Sequence, residues 1–280
     1  VMNRYIQIDD VIIGQGHNYI FNDISGIGGG TVRRTEHEYI SSDGAEFDNI
    51  FFSARSFEIT GYILAKSAAE LDSLKQRLIL ACYPKAERTI VFFDGIRKYK
   101  AKAYNDAMPE FGKRSISAYW NMPFVLSITI PSFYWTDYEI TPIPIVSRRN
   151  EFTTSFTLPC VFTSRTAEVS ILNDSGFDFY PIIKIMAGSR AESGTVKILN
   201  DTTGEYIQLS NFTLSPGDMI VIDCESYKAT LNGTTNIINS LNDFESFKIV
   251  PGVNIIKGLN NNSSSAINVS MEYYKKWMGV

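Results

Sequence analysis

Apolar residues recur at two distinct periods along this 280-residue chain. Over most of its length they alternate with polar ones, which is the period of a strand with one buried face. In "RTIVFFDGIRKYKAKAY" the lysines 98, 100 and 102 fall on one face, and Tyr99, Ala101 and Ala103 on the other. The same stretch turns at Asp94-Gly95, and "EYISSDGAEFDNIFF" repeats the arrangement about Asp43-Gly44, so each predicts a hairpin. "ISAYWNMPFVLSITI" predicts a longer strand, with Pro123 placing part of it at an edge or bulge. One segment follows the other period. In "KSAAELDSLKQRLILACYP", Leu71, Leu74, Leu78 and Cys82 are spaced as on one helix face, Ser67 and Glu70 form a capping box, and Pro84 ends the run. This predicts a helix over 67–82 with its leucine stripe in a core.

Between Pro131 and Pro144 the chain becomes aromatic and proline-punctuated, as expected of a connection between domains over 1–138 and 139–280. Beyond it come short apolar runs separated by turn residues: 152–158, 168–172, 180–186, 195–199, 206–209, 219–223, 227–231, 244–249 and 266–274. Many short strands at close intervals predict an antiparallel sandwich. "LSPGDMIVIDCESYKATLNGTTN" is the most regular piece. Pro216-Gly217 predicts a turn, and Asn232-Gly233 supplies two residues tolerant of the positive φ that a tight hairpin turn needs. The fold class expected is mainly β: two β-sandwich domains, the first with one packed helix and an extended hairpin.

Composition narrows the function more than the fold. With 15 basic and 16 acidic residues up to Tyr138, and 11 and 14 beyond, neither half carries the basic field of a nucleic-acid-binding domain. Three cysteines (82, 160 and 224) lack CxxC spacing, so neither a disulfide framework nor a zinc site is indicated. The two histidines, His17 and His37, lie in no metal-binding spacing, and no serine sits in a nucleophile elbow. "SGIGGGTV" lacks the GK[ST] of a phosphate loop and no helix follows it; it reads as a tightly turned segment leading into a hairpin. Phe133, Tyr134, Trp135 and Tyr138 read as a linker pinned to the first domain. No apolar run reaches membrane-spanning length. The expectation is a structural protein with no catalytic residue, no cofactor and no metal.

The stretch "RSFEITGYILAKSAAELDSLKQRLILACYPKAERTIVFFDG" resembles the first-domain signature of the distal tail (Dit) proteins of siphophages that infect Gram-positive bacteria. Upstream, "DISGIGGGTVRRTEHEYISSDGAEF" is similar to that family's looped hairpin. Downstream, "LSPGDMIVIDCESYKATLNGTTN", "FESFKIVPGVNIIKG" and "AINVSMEYYKKWM" are similar to its closing pattern. The resemblance implies a virion protein of the tail tip, made in the host cytoplasm during assembly. It implies a homo-oligomeric ring, commonly a hexamer, built by 1–138, with a galectin-like or carbohydrate-module-like sandwich of 139–280 projecting from it. Implied partners are the major tail tube protein, a tail-associated lysin or tail fibre protein, and receptor-binding proteins. DNA would pass through the lumen without specific binding, and no membrane is involved. Strand edges left open on a hairpin must be covered, so 31–52 is the candidate arm to a neighbouring subunit, with Thr31, Arg33, Glu36, Asp43, Gly44, Phe47 and Phe52 as contact residues. The alternative reading is a lectin-like module for host cell-wall saccharide, with Trp277 as its stacking residue. That domain has no histidine and no other tryptophan.

Overall fold

The computed structural model describes residues 4–38, 43, 45–113, 120–146, 166–188, 192–242, 244, 247–260 and 267–280. The run expected over 152–158 and Cys160 lie outside these residues. The chain divides into two compact units, Val1–Tyr138 with Trp277–Val280, and Glu139–Lys276.

The first unit contains β1 (Tyr5–Ile8), β2 (Val11–Gly14), β3 (Tyr19–Ser25), β4 (Val32–Glu38), β5 (Ala45–Phe52) and β6 (Arg55–Ala65). After the helix α1 (Ala68–Ala81) come β7 (Arg88–Phe93), β8 (Lys98–Asn105), β9 (Glu110–Phe111), β10 (Trp120–Ile130) and β11 (Trp135–Asp137). Strands β8-β7-β1-β2-β3-β6-β10 are neighbours in that order, and β10 pairs back onto β8 at Ile128↔Asn105 and Thr129↔Tyr104. The layers of this β-domain are thereby joined into a barrel, which leaves fewer open edges than two separate sheets would. Alternation decides what fills it. Along β6, Arg55, Phe57, Ile59 and Ile63 are buried while Ser56 and Glu58 are exposed. On β8 the three lysines are more exposed than Tyr99, Ala101 and Ala103, which are buried, as the alternation predicts.

Helix α1 opens at Ser67, whose hydroxyl accepts from the Glu70 amide at 3.2 Å. The return half of the capping box is displaced by one residue, since Glu70 Oε2 accepts from the Lys66 amide at 2.7 Å. The helix lies over β6, β10 and β2. Leu71, Leu78, Ala81 and Cys82 are buried, but Leu74 is only half-buried at the margin of the core. There its carbonyl accepts from the Tyr19 hydroxyl at 2.9 Å.

Burial also sets the chemistry of Cys82. Removal from water disfavours the thiolate and pushes this thiol up to about 12, against a pull downward from Arg88. An unfolded thiol ionises near pH 9, so the stability contributed by burying the neutral group is complete below that pH. It drains away as pH rises from 9 towards 12, at about 1.4 kcal/mol per pH unit. Urea unfolding at pH 8 and pH 10.5 should show this loss, and Cys82→Ala should reduce it. An identical pH dependence in parent and variant would mean that Cys82 is not sealed from solvent.

The second unit contains β12 (Thr141–Val146), β13 (Thr166–Asn173), β14 (Ile182–Ala187), β15 (Glu192–Asn200) and β16 (Tyr206–Leu214). It continues with β17 (Met219–Asp223), β18 (Lys228–Leu231), β19 (Thr235–Asn236), β20 (Gly252–Asn260) and β21 (Ile267–Tyr273). Two antiparallel sheets result, β12-β21-β14-β17-β18-β19 and β13-β20-β15-β16. Their inner faces meet in one core that includes Ile183, Ile222 and Met271 from the first sheet and Ile171, Ile198 and Ile256 from the second. The proline-punctuated connection is partly strand. Pro142 and Pro144 sit on β12, at the sheet edge, where a missing amide costs least.

Two expectations shift here. Among the described residues of the run 244–249 none belongs to a strand: Phe244, Phe247 and Ile249 are buried, and Ile249 makes an isolated bridge with Phe179. The strand in this region is β20, whose glycines weaken its sequence signal. The Pro-Gly-Val-Asn that opens β20 is held by Asn254. This side chain is fully buried, accepts from the Val250 amide and from Asn200 Nδ2 at 3.1 Å each, and donates to the Val250 carbonyl at 2.7 Å.

The hairpin region 214–236 has the predicted turns. Asn232 and Gly233 have φ of 53° and 73°, and they join β18 to β19. Asn232 also bridges backwards, accepting from the Met219 amide and donating to Asp218, both at 2.9 Å. Asp223 is more than a strand end. Its carboxylate accepts from the amides of Glu225 and Ser226 and from the Ser226 hydroxyl, which builds the β17–β18 turn.

Candidate assembly interface

Among the described residues, 31–38 and 45–53 leave the barrel as a two-stranded ribbon, β4 paired with β5 alone. Its base is closed by the Ser53 amide donating to the Thr31 carbonyl at 2.9 Å. Thr31, Arg33, Glu36, Phe47 and Phe52 are all exposed on or beside this ribbon, and Asp43 is exposed beyond its paired residues. Gly44 lies outside the described residues.

Register gives the ribbon two different faces. Val32 pairs with Phe52 and Glu36 with Phe47, whereas Arg33 pairs with Phe51 and Thr35 with Asp48. Opposed residues project to the same side, so Val32, Phe52 and Phe47 share one face and Arg33, Phe51 and Asp48 the other. Between the pairs 33/51 and 35/48 the register shifts: Arg34 faces two residues, Asn49 and Ile50, and Asn49 takes a φ of 50°. This bulge adds twist and lets one ribbon keep two apolar runs in contact with its surroundings.

Exposure is the unusual property. Val32 is 49% exposed, Ile50 64%, Phe51 55% and Phe47 42%. Single apolar residues on a surface need no explanation, but a set gathered on one thin ribbon does. Arg34 lies 4.1 Å over the Phe47 ring, His37 approaches Asp48 at 3.6 Å, and Phe52 stacks on Phe133 at 4.7 Å near the base. Val32, Ile50 and Phe51 lie inside the expected arm 31–52 but were not among its named contact residues. The signal was present in "DNIFF", which alternation alone would bury.

The base is braced by Arg55, the first residue of β6, which is 1% exposed. Its guanidinium donates to the Ile27 carbonyl at 3.0 Å and to the Met278 carbonyl, while Nε has no hydrogen-bond partner among the described residues. No carboxylate among them pairs with it, and burial pulls its pKa downward. Trp277 belongs to the same unit. Its indole donates to Asp137 at 2.7 Å, meets Tyr99 edge-on, and has Arg97 above its ring at 5.4 Å. Trp135, the largest fully buried side chain among the described residues, packs between Phe57 and Phe92 at 6.2 Å from each.

Among the described residues, no group of three or more His, Cys, Asp and Glu side chains could hold a metal ion, and no helix is long and apolar enough to cross a membrane.

Residues 174–277 match the family model described as a siphovirus-type tail component, C-terminal domain, and residues 20–118 match that of a phage tail protein RIFT-related domain. The chain belongs to the distal tail protein family. Its fold agrees with solved members of phage tail assemblies. It aligns with the SPP1 Dit protein (gp 19.1), described as a paradigm of the hub adsorption apparatus in phages infecting Gram-positive bacteria. That match has a TM-score of 0.68 at 10% identity and covers 98% of this chain and 99% of that one. It also aligns with chains of the phage P2 baseplate in its activated conformation with Ca and with Sr. Their TM-scores are 0.55 and 0.53, each at 13% identity with full coverage of both chains. At these identities the likeness is one of fold. No curated protein matches the sequence. The ribbon and Arg55 both lie within the residues that match the phage tail protein RIFT-related domain.

Proposed function

We propose that this chain is a phage tail hub protein whose first unit closes into a ring, a hexamer, through the β4–β5 ribbon. The ring joins the major tail tube protein on one side to a tail-associated lysin or tail fibre protein on the other. It leaves a lumen for DNA, and the second unit is where receptor-binding proteins attach. The role is mechanical and needs no cofactor. The observation that carries the reading is the ribbon, an exposed two-stranded arm with apolar side chains on both faces in a chain of tail-component families. Open strand edges and an apolar surface of this kind are costly in a lone subunit and are relieved by a copy that covers them.

Light scattering across a concentration series, with negative-stain grids, tests this. The parent should form closed rings, and Phe47→Ser combined with Ile50→Ser should leave monomers with an unchanged circular dichroism spectrum. A parent that stays monomeric at high concentration, alone and with the tail tube protein, would overturn the proposal.

A further inference from the structure

The ribbon starts from a glycine-rich loop, and that loop is held by residues from the far end of the chain. Residues 26–30, Gly-Ile-Gly-Gly-Gly, separate β3 from the ribbon. Three of these glycines (28, 29 and 30) have no φ in the left-handed region, and a side chain at 28 or 29 would meet nothing. Their conformation is therefore not demanded by local crowding, and a segment of this composition has much backbone freedom to lose on folding. Something outside the loop has to fix it.

Three contacts do so. Arg55 donates to the Ile27 carbonyl and, from the same guanidinium, to the Met278 carbonyl. Gly279 lies so near the loop that a Cβ on it would come within 2.9 Å of the Gly28 carbonyl oxygen. Ile27, Trp277 and Val280 pack against the barrel core, and Ile27 and Val280 line one cavity of about 230 Å³ with Phe21, Ile24 and Phe92. The guanidinium is thus a cross-brace between loop and tail. It is buried with only carbonyl dipoles as partners, so it resists hydration only while both segments stay in place.

We propose that Trp277–Val280 is a latch, bolted by Arg55, that fixes the glycine loop and so sets the direction in which the β4–β5 ribbon leaves the barrel. With the latch seated, the ribbon is presented in one orientation. With it lifted, Arg55 takes up water, the loop regains its freedom and the ribbon loses its fixed angle. Its consequence for assembly rests on the reading of the ribbon as a subunit contact; the coupling of tail to loop does not.

The experiment is hydrogen exchange on the full chain, comparing the parent with Gly279→Val and with a chain ending at Trp277. Both changes leave Arg55 and the ribbon sequence intact. Amides of residues 26–31 and of the ribbon are expected to exchange at least about tenfold faster in both variants, with those of α1 and the second unit unchanged. Rings should become fewer in proportion. Exchange at 26–31 equal to the parent's would overturn the latch, whatever the assembly state. Faster exchange throughout the barrel, including α1, would also overturn it, because the tail would then be part of the global core. Faster exchange at 26–31 with rings unchanged would uphold the latch and count against the ribbon as the ring contact. The Phe47 and Ile50 variants, which keep the latch, test that contact separately.

Discussion

Leu78→Ala is expected to lower the stability of the first unit by about 2–5 kcal/mol. The side chain is fully buried on the face of α1 that lies over β6, β10 and β2, beside the buried Ala81 and Cys82. Truncation removes its transfer free energy and leaves a cavity, since a helix held on three strands cannot settle inward to fill it. Leu74→Ala is the internal comparison. This residue belongs to the same leucine stripe but is half-buried, so its loss should be clearly smaller. Urea unfolding followed by circular dichroism separates the two. Equal losses, or a loss under about 1 kcal/mol for Leu78→Ala, would refute the placement of the helix.

Gly61→Ala should cost about 3 kcal/mol, at the upper end of what overpacking does. Gly61 lies on β6 between β3 and β10, opposite Phe21 on one side and Phe124 on the other. A methyl group there would run into the Ile20 carbonyl oxygen and approach Phe124 Cζ to 2.7 Å. Both neighbours are fixed: the carbonyl is backbone, and Phe124 is 1% exposed in the barrel core. Phe124 cannot rotate away without opening a void elsewhere. Gly28→Ala provides the contrast, because its added methyl meets nothing; it should change stability by no more than about 0.5 kcal/mol. A thermal melt in which the two variants behave alike would show that the close approach at Gly61 does not exist.

These two sites differ in how far they could be read in advance. The helix was legible because its signals are local: a serine cap, a glutamate three residues on, leucines at helical spacing and a proline stop. Leu74 was misjudged in degree because periodicity reports a face and not how far a neighbour covers its margin. Nothing in "EITGYIL" distinguishes Gly61 from a glycine that merely loosens a strand. The ribbon was legible as a hairpin, yet its apolar exposure was not, because alternation assigns such residues to a core by default.

The sequence by itself determined most of the strands, the helix α1 and the turns at Pro216-Gly217 and Asn232-Gly233. Each depends on backbone preferences and side-chain hydrogen bonds that act over a few residues. Tertiary structure decided the closing of the barrel through β8 and β10, the choice of β20 over the run 244–249 as a strand, and the return of Trp277–Val280 to the first unit. It also decided the partners of Arg55, whose two hydrogen-bonded carbonyls lie on segments 28 and 223 positions away in the chain. Patterning states which residues must leave water but not which distant segment will cover them. That choice belongs to packing, where the burial of apolar surface and the pairing of buried polar groups are satisfied together.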